Sequence, residues 1–276
     1  MAKIGEMVSG SIFLTQERAL KKILQDRERG DLARARGHAL EALEKWPNDY
    51  DLAMEAIQAS LDLSDYPQAA NLLKNAHRRH GPRRDEIMEH ARSAFSHSTS
   101  TLIGAFIVEV LLKSRDLDAI AGLVSAAPES FLGELLKRSE ARARSLSSEG
   151  QERSALYGEN ALLLGMLYRE AKQYEKSAEM LCAALDTLPG DERPIGEALV
   201  RLEGELPGSA AVKYSVGLAS LRLAHPDKAE ARFFQSMERP SAPVEGILGA
   251  IGGTSLSLPN ANLLAGEALI RSRRVE

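Results

Sequence analysis

A fixed recurrence of 34 residues constrains this chain more than any other feature. Asp31 and Asp65, Ala35 and Ala69, and Ala42 and Ala76 each stand 34 residues apart, and the same step from Pro47 reaches Gly81, beside Pro82. A period of this size belongs to stacked supersecondary units, each too small to bury its apolar face alone. The residues between the recurrent positions identify the unit. In DLARARGHALEALEKWP, the side chains of Leu32, Ala35, Ala39, Ala42, Leu43 and Trp46 fall on one stripe of a helix that Pro47 ends. DYPQAANLLKNAHRRHGP, QYEKSAEMLCAALDTLPGD and HPDKAEARFFQSMERP repeat the pattern. Strand signals are nearly absent, and an aromatic content of 5% leans away from all-β architectures. The chain is therefore expected to be all-α, built of antiparallel helical hairpins, with turns near Arg29-Gly30, Ser64-Asp65, Lys172-Gln173 and Ala224-His225.

The segment ALLLGMLYREAKQYEKSAEML carries a family resemblance. Ala161, Leu164, Gly165 and Tyr168 occupy the Trp, Leu, Gly and Tyr positions of the first-helix motif of the tetratricopeptide repeat. Tyr174, Ala178, Leu181, Ala184 and Pro189 continue that motif in register, with Ser177 where the family usually has Ala and Ala161 in place of Trp. GDLARA and SDYPQA resemble the hinge and second-helix start, and Val216, Gly217, Ala229 and Phe233 mark a further unit. Four repeats are recognisable, beginning near Thr15, Asp49, Gly158 and Ser209. The resemblance implies a right-handed solenoid, a TPR-like superhelix, in which first helices line a concave groove and second helices face outward. It also accounts for a change of character within this segment. The chain is apolar on almost every side up to Tyr168, as suits an inner helix, and striped from Tyr174, as suits an outer one.

The rest of the chain is degenerate. The expected organisation is an N-terminal array over residues 1–144, with clear repeats about 15–82 and degenerate ones 83–144. A flexible joint is expected at 145–154, followed by a C-terminal array with terminal helices over 155–276. FSHSTST and SLSSEGQERS are polar enough to hold an insertion, and KSRDLDAIAGLVSAAPES reads as a worn repeat. Glu192 to Leu206 reads as a single helix stopped by Pro207-Gly208, and GAIGGT as a bend between C-terminal helices.

In the register that the resemblance gives, the groove-facing positions are Leu20 and Leu24, Met54 and Gln58, Leu162 and Met166, and Tyr214, Leu218 and Leu221. Some tetratricopeptide domains grip a peptide carboxylate with Lys, Asn and Arg at such positions. Apolar side chains stand there in this chain, so the implied ligand is a hydrophobic helix or segment of another protein. The expected function is a non-catalytic interaction scaffold. The alternative is a self-associating structural component whose groove is filled by its own C-terminal helix or by another copy, as a homo-oligomer.

Signals for chemistry are weak. His77, His80, His90 and His97 include pairs at metal-binding spacing, but Gly81-Pro82 divides them and arginines crowd them. The simpler reading places cations at a helix C-terminus, where the dipole favours them. Arg78, Arg79, Arg83 and Arg84 form a candidate basic rim, and with Arg27 and Arg169 they would orient a partner. No aromatic residues interleave with them to stack bases, and the net charge is −4, so no nucleic acid is expected. The one cysteine, Cys182, lies beside an apolar stripe and reads as a small core residue. No catalytic residue, metal or cofactor is expected, since no nucleophile-elbow, phosphate-loop or zinc-protease motif is present. The longest apolar run, LIGAFIVEVLLK, is short and holds Glu109, so no membrane span is expected. The N-terminus is a poor secretory signal, which makes the cytoplasm the expected location.

Overall fold

A computed structural model describes residues 16–272 except Arg115 and Pro240. The reading of the N-terminal stretch and the first repeat boundary at Thr15 lie outside the described residues. The described chain is helical throughout and consists of helical hairpins in two compact units, which divide between Ser114 and Arg115. The first unit holds α1 (residues 16–28), α2 (Leu32–Lys45), α3 (Tyr50–Asp62), α4 (Tyr66–Arg79), α5 (Arg84–Ser98) and α6 (Thr101–Ser114). The second holds α7 (Leu117–Ala126), α8 (Glu129–Ser148), α9 (Ala155–Glu170), α10 (Tyr174–Thr187), α11 (Glu192–Glu205), α12 (Ala210–Arg222), α13 (Pro226–Met237), α14 (Val244–Gly253) and α15 (Ala261–Ser272).

The recurring aspartates are helix N-caps. Asp31, Asp49 and Asp65 each accept a hydrogen bond from the backbone N–H three residues on, at 3.2, 3.0 and 3.2 Å. Ser154 and Ser209 do the same for α9 and α12. Each such cap contributes about 1 kcal/mol.

The four anticipated hairpin turns share one geometry. Gly30, Ser64, Lys172 and Ala224 lie in the left-handed region, with φ of 77°, 56°, 56° and 58°. The next residue's N–H reaches back to the carbonyl five residues earlier: Asp31 to Asp26, Asp65 to Ser60, Gln173 to Tyr168 and His225 to Ser220, at 2.8–2.9 Å. This is a Schellman closure, which consumes carbonyls the helix end would otherwise orphan. Only Gly30 takes the left-handed conformation freely, so the closure holds three other residues there against their preference.

Glycines set the close approaches within hairpins. A Cβ on Gly165 would lie 2.7 Å from Leu181 Cγ, and one on Gly217 would lie 2.5 Å from Phe233 Cε1. Ser177, which departs from the family's alanine, donates its hydroxyl to the Gly165 carbonyl at 2.7 Å and pins α10 to α9 at that point.

In the second unit, α9 and α12 are both buried on two sides. Ala161 and Leu162 of α9 enter a core with Leu181, Leu185, Ile195 and Leu199. On its other side, Asn160 donates to the Ser139 carbonyl at 2.9 Å and the Tyr168 hydroxyl donates to Glu140 at 2.7 Å, both on α8. Val212, Val216 and Ala219 of α12 join that same core, whereas Tyr214, Leu218 and Leu221 pack on a second one formed with α13, α14 and α15. The helix α11, anticipated as a single element, packs on α10 and α12 and shares their core with Ala161 and Leu162 of α9.

The polar stretch at 145–154 contains the last turn of α8 and a turn in which Gly150 is left-handed and the Gln151 N–H bonds the Leu146 carbonyl at 2.8 Å. It lies inside the second unit, and the division between units falls earlier. FSHSTST proves to be a hairpin turn, with Thr99 left-handed between α5 and α6.

Candidate binding cleft

The groove register assigns two positions per inner helix, ten and six residues before the left-handed hinge residue, and adds Leu221 on α12. The structure separates them. At the earlier position, Leu162 is 1% exposed and lies wholly in the core with α11. Tyr214 is covered by α14, because a Cβ on Gly246 would come within 2.6 Å of its hydroxyl. Leu20 packs on the core of α1, α2 and α3, and Met54 is partly buried. This register point therefore serves contact with neighbouring helices, and Leu162 offers no surface to a partner. Sequence register finds the inner side of a helix but not the arc of it that the next inner helix covers.

At the later position the units differ. In the first, Leu24 is 40% exposed, and Gln58 donates to Asp62 at 2.7 Å. Arg27 donates to Glu55 at 2.7 Å and to Asp62 at 3.3 Å, so a ladder of polar pairs ties α1 to α3. In the second, Leu218 and Leu221 are partly buried against the C-terminal hairpin. Met166 instead faces an open cleft.

That cleft lies among α7, α9 and α11 and encloses about 220 Å³. Ser125 donates to Glu170 at 3.4 Å, and Arg169 donates to Glu205, so the C-terminal turns of all three helices lie together and the helices run in one direction. Leu117, Ala121, Met166 and Ala198 form its apolar surface, with the buried Val124, Leu162 and Leu181 packed directly beneath them. Its rim carries Asp116, Asp118, Arg169, Glu170, Glu197 and Arg201. Sequence reasoning found Leu162, Met166 and the rim residue Arg169 in this set. The residues on α7 and α11 come from degenerate repeats with no motif to fix their register, although the amphipathic spacing of DLDAIAGLVSA offered a signal.

The four arginines around the α4–α5 junction are engaged by the chain itself. Arg79 donates to the Pro47 carbonyl at 2.8 Å, Arg84 donates to the His77 carbonyl at 3.2 Å, and Arg78 donates to Asn75 at 3.3 Å. Arg83 lies 4.2 Å above the Tyr50 ring. Their outer parts stay exposed. The histidines are dispersed: His77 stands edge-on to Phe106, His80 edge-on to Tyr50, and His97 bonds the Ser93 carbonyl at 2.7 Å. His90 Nε2 and His80 Nε2 are buried without a hydrogen-bond partner, and burial pushes the His90 pKa below its ordinary value. Among the described residues no group of His, Cys, Asp and Glu is arranged to hold a metal ion. Cys182 packs against the core, and burial pushes its thiol up to about 11. No helix among the described residues is long and apolar enough to cross a membrane.

Fold and cleft together define a class: stacked helical hairpins with an open, apolar-floored cleft among parallel inner helices. No protein-family model and no curated protein matches the chain. It is similar to a solved structure of the P58(IPK) TPR domain, with 13% identity over 95% of this chain and 99% of that one, at a TM-score of 0.26.

Proposed function

We propose that the chain is a non-catalytic scaffold that binds an apolar helix or extended segment of another protein on the inner faces of its hairpins. The observation that carries this proposal is the cleft at Met166, whose floor is apolar and whose walls are three separate helices. Stacked helices present such side chains rigidly, so a partner is ordered on binding while the scaffold is already ordered. Methionine at the centre suits a groove that accepts more than one sequence, since its unbranched side chain repacks at low cost. Burial of the partner's anchors would contribute roughly 25 cal/mol per Å² of apolar area before the costs of ordering.

The test compares two sets of variants against peptides selected by display on the immobilised chain. Met166→Glu places a charge in the cleft and leaves the buried Leu162 untouched, while Arg78→Glu with Arg83→Glu alters the exposed basic rim. Binding is expected to fall at least tenfold in the first and to survive in the second; the reverse pattern would refute the groove.

A second reading, self-association with the groove filled from within or by another copy, draws support from the C-terminal hairpin, which packs on Tyr214, Leu218 and Leu221. It is also supported by Leu263 and Ile270, seven residues apart on α15 and 65% and 52% exposed. Sedimentation velocity tests its two-copy form: a tight dimer favours self-association, and a concentration-independent monomer excludes a groove filled by another copy.

A further inference from the structure

Building on the reading of the α7–α9–α11 cleft as a binding groove, we propose that the segment it takes is basic: an apolar anchor laid on Met166 and flanked by Lys or Arg. A volume of about 220 Å³ is below the usual range of small-molecule pockets, roughly 300–1,000 Å³, and suits one or two side chains of a longer ligand. The anchor alone does not choose among partners. The rim does.

Four carboxylates and two arginines border the cleft. Arg169 is already bound to Glu205, and Arg193 lies 3.2 Å from Glu197. Among the described residues that line the cleft, Asp116, Asp118 and Glu170 are then set against Arg201 alone. Asp118 is exposed and forms no ion pair with another described residue. Glu170 ends α9, where the carbonyls of the last turn add negative potential, so a cation is favoured there both by the carboxylate and by the helix terminus. An acidic segment would meet repulsion at both ends of α7, with Arg201 its one unpaired attractant among the described residues. The orienting charges expected from sequence, Arg27 and Arg169, are taken by carboxylates of the chain itself.

The experiment uses two labelled synthetic helices with the same leucines at i, i+3 and i+7. One is flanked by lysines, the other by glutamates, and both are titrated into the full chain by fluorescence anisotropy. Exposed ion pairs each add only modestly to binding, so the lysine peptide should bind roughly three- to tenfold tighter at low salt. That advantage should shrink at high salt, where exposed charges are screened. Asp118→Lys with Glu170→Lys should reverse it. Ala198→Trp fills the cleft without adding charge and should weaken both peptides alike, with circular dichroism showing that the variant remains folded. A glutamate peptide that binds wild type as tightly as the lysine peptide overturns the charge inference and leaves the groove reading intact. If neither peptide binds wild type, or if the folded Ala198→Trp variant binds both unchanged, the groove reading falls and the inference falls with it.

Discussion

Gly165 shows how one absent methyl group sets the spacing of two helices. A Cβ there would lie 2.7 Å from Leu181 Cγ and 2.8 Å from its Cδ2, closer than packed carbons tolerate. Gly133, on the exposed face of α8, has nothing within 4 Å of the same point. The two should therefore answer the same substitution with opposite signs. Gly165→Ala is expected to lower the melting temperature, and the bulkier Gly165→Leu to cost about 1–3 kcal/mol. Gly133→Ala should stabilise by about 0.5–1 kcal/mol, because alanine loses less backbone entropy in a helix. Equal melting shifts at the two sites would contradict the close approach. Gly165 was legible in the sequence because a repeat motif marks its position. Its hydrogen-bond partner Ser177 was visible only as a departure from that motif.

His90 is a second site where burial decides behaviour. With its Nε2 unpartnered and its pKa lowered by desolvation, the folded chain holds the neutral ring at a pH where the unfolded chain has begun to protonate. Stability linked to His90 is therefore present above the ordinary histidine pKa of about 6.5 and is lost as pH falls through the lower folded value. His77 is shifted the same way, first by burial and then by Arg84 and Lys113. Melting curves at pH 7.5 and pH 5 should show a smaller acid-induced loss in His90→Leu than in wild type. An unchanged difference would mean that the ring is solvated.

At the scale of elements, α12 shows how a helix with a recognisable repeat motif can face two cores. It joins one core through Val212, Val216 and Ala219 and another through Tyr214, Leu218 and Leu221, so one apolar helix serves two layers. Hairpin pairing α12–α13 was legible from the Gly217 and Phe233 motif positions. The packing of α11 and of α10 on α12 was not, because no local residue pattern encodes which neighbour a doubly buried helix meets. The last hairpin is tied by a buried carboxylate: Glu230 on α13 accepts from Asn260 N at 2.6 Å and Nδ2 at 3.3 Å, just before α15. Removing it leaves the Asn260 donors at the start of α15 without their acceptor. In Glu230→Ala, hydrogen exchange should rise across 258–266 while α9 and α10 keep their protection. Uniform exchange along the chain would show that the contact does not act locally.

At the scale of the whole molecule, a 34-residue period and its punctuation made the helical-hairpin class readable, since Asp or Ser N-caps open α2, α3, α4, α9 and α12 and left-handed hinges recur at Gly30, Ser64, Lys172 and Ala224. The cleft was readable only in part. Met166 stood in a motif, whereas Leu117, Val124 and Ala198 belong to helices whose sequences have drifted from the repeat. Burial of Leu162 depended on where α11 packs. The central claim, that the inner surface of the second unit binds an apolar segment at Met166, can be tested on a single atom. The chain has seven methionines, and 13C labelling of their methyl groups gives each a separate probe. Titration with the lysine-flanked leucine helix is expected to shift and broaden the Met166 methyl signal, leaving those of Met180 on α10 and the buried Met237 in place. A Met166 signal that stays unmoved at saturating peptide, while another methionine responds, would contradict the account.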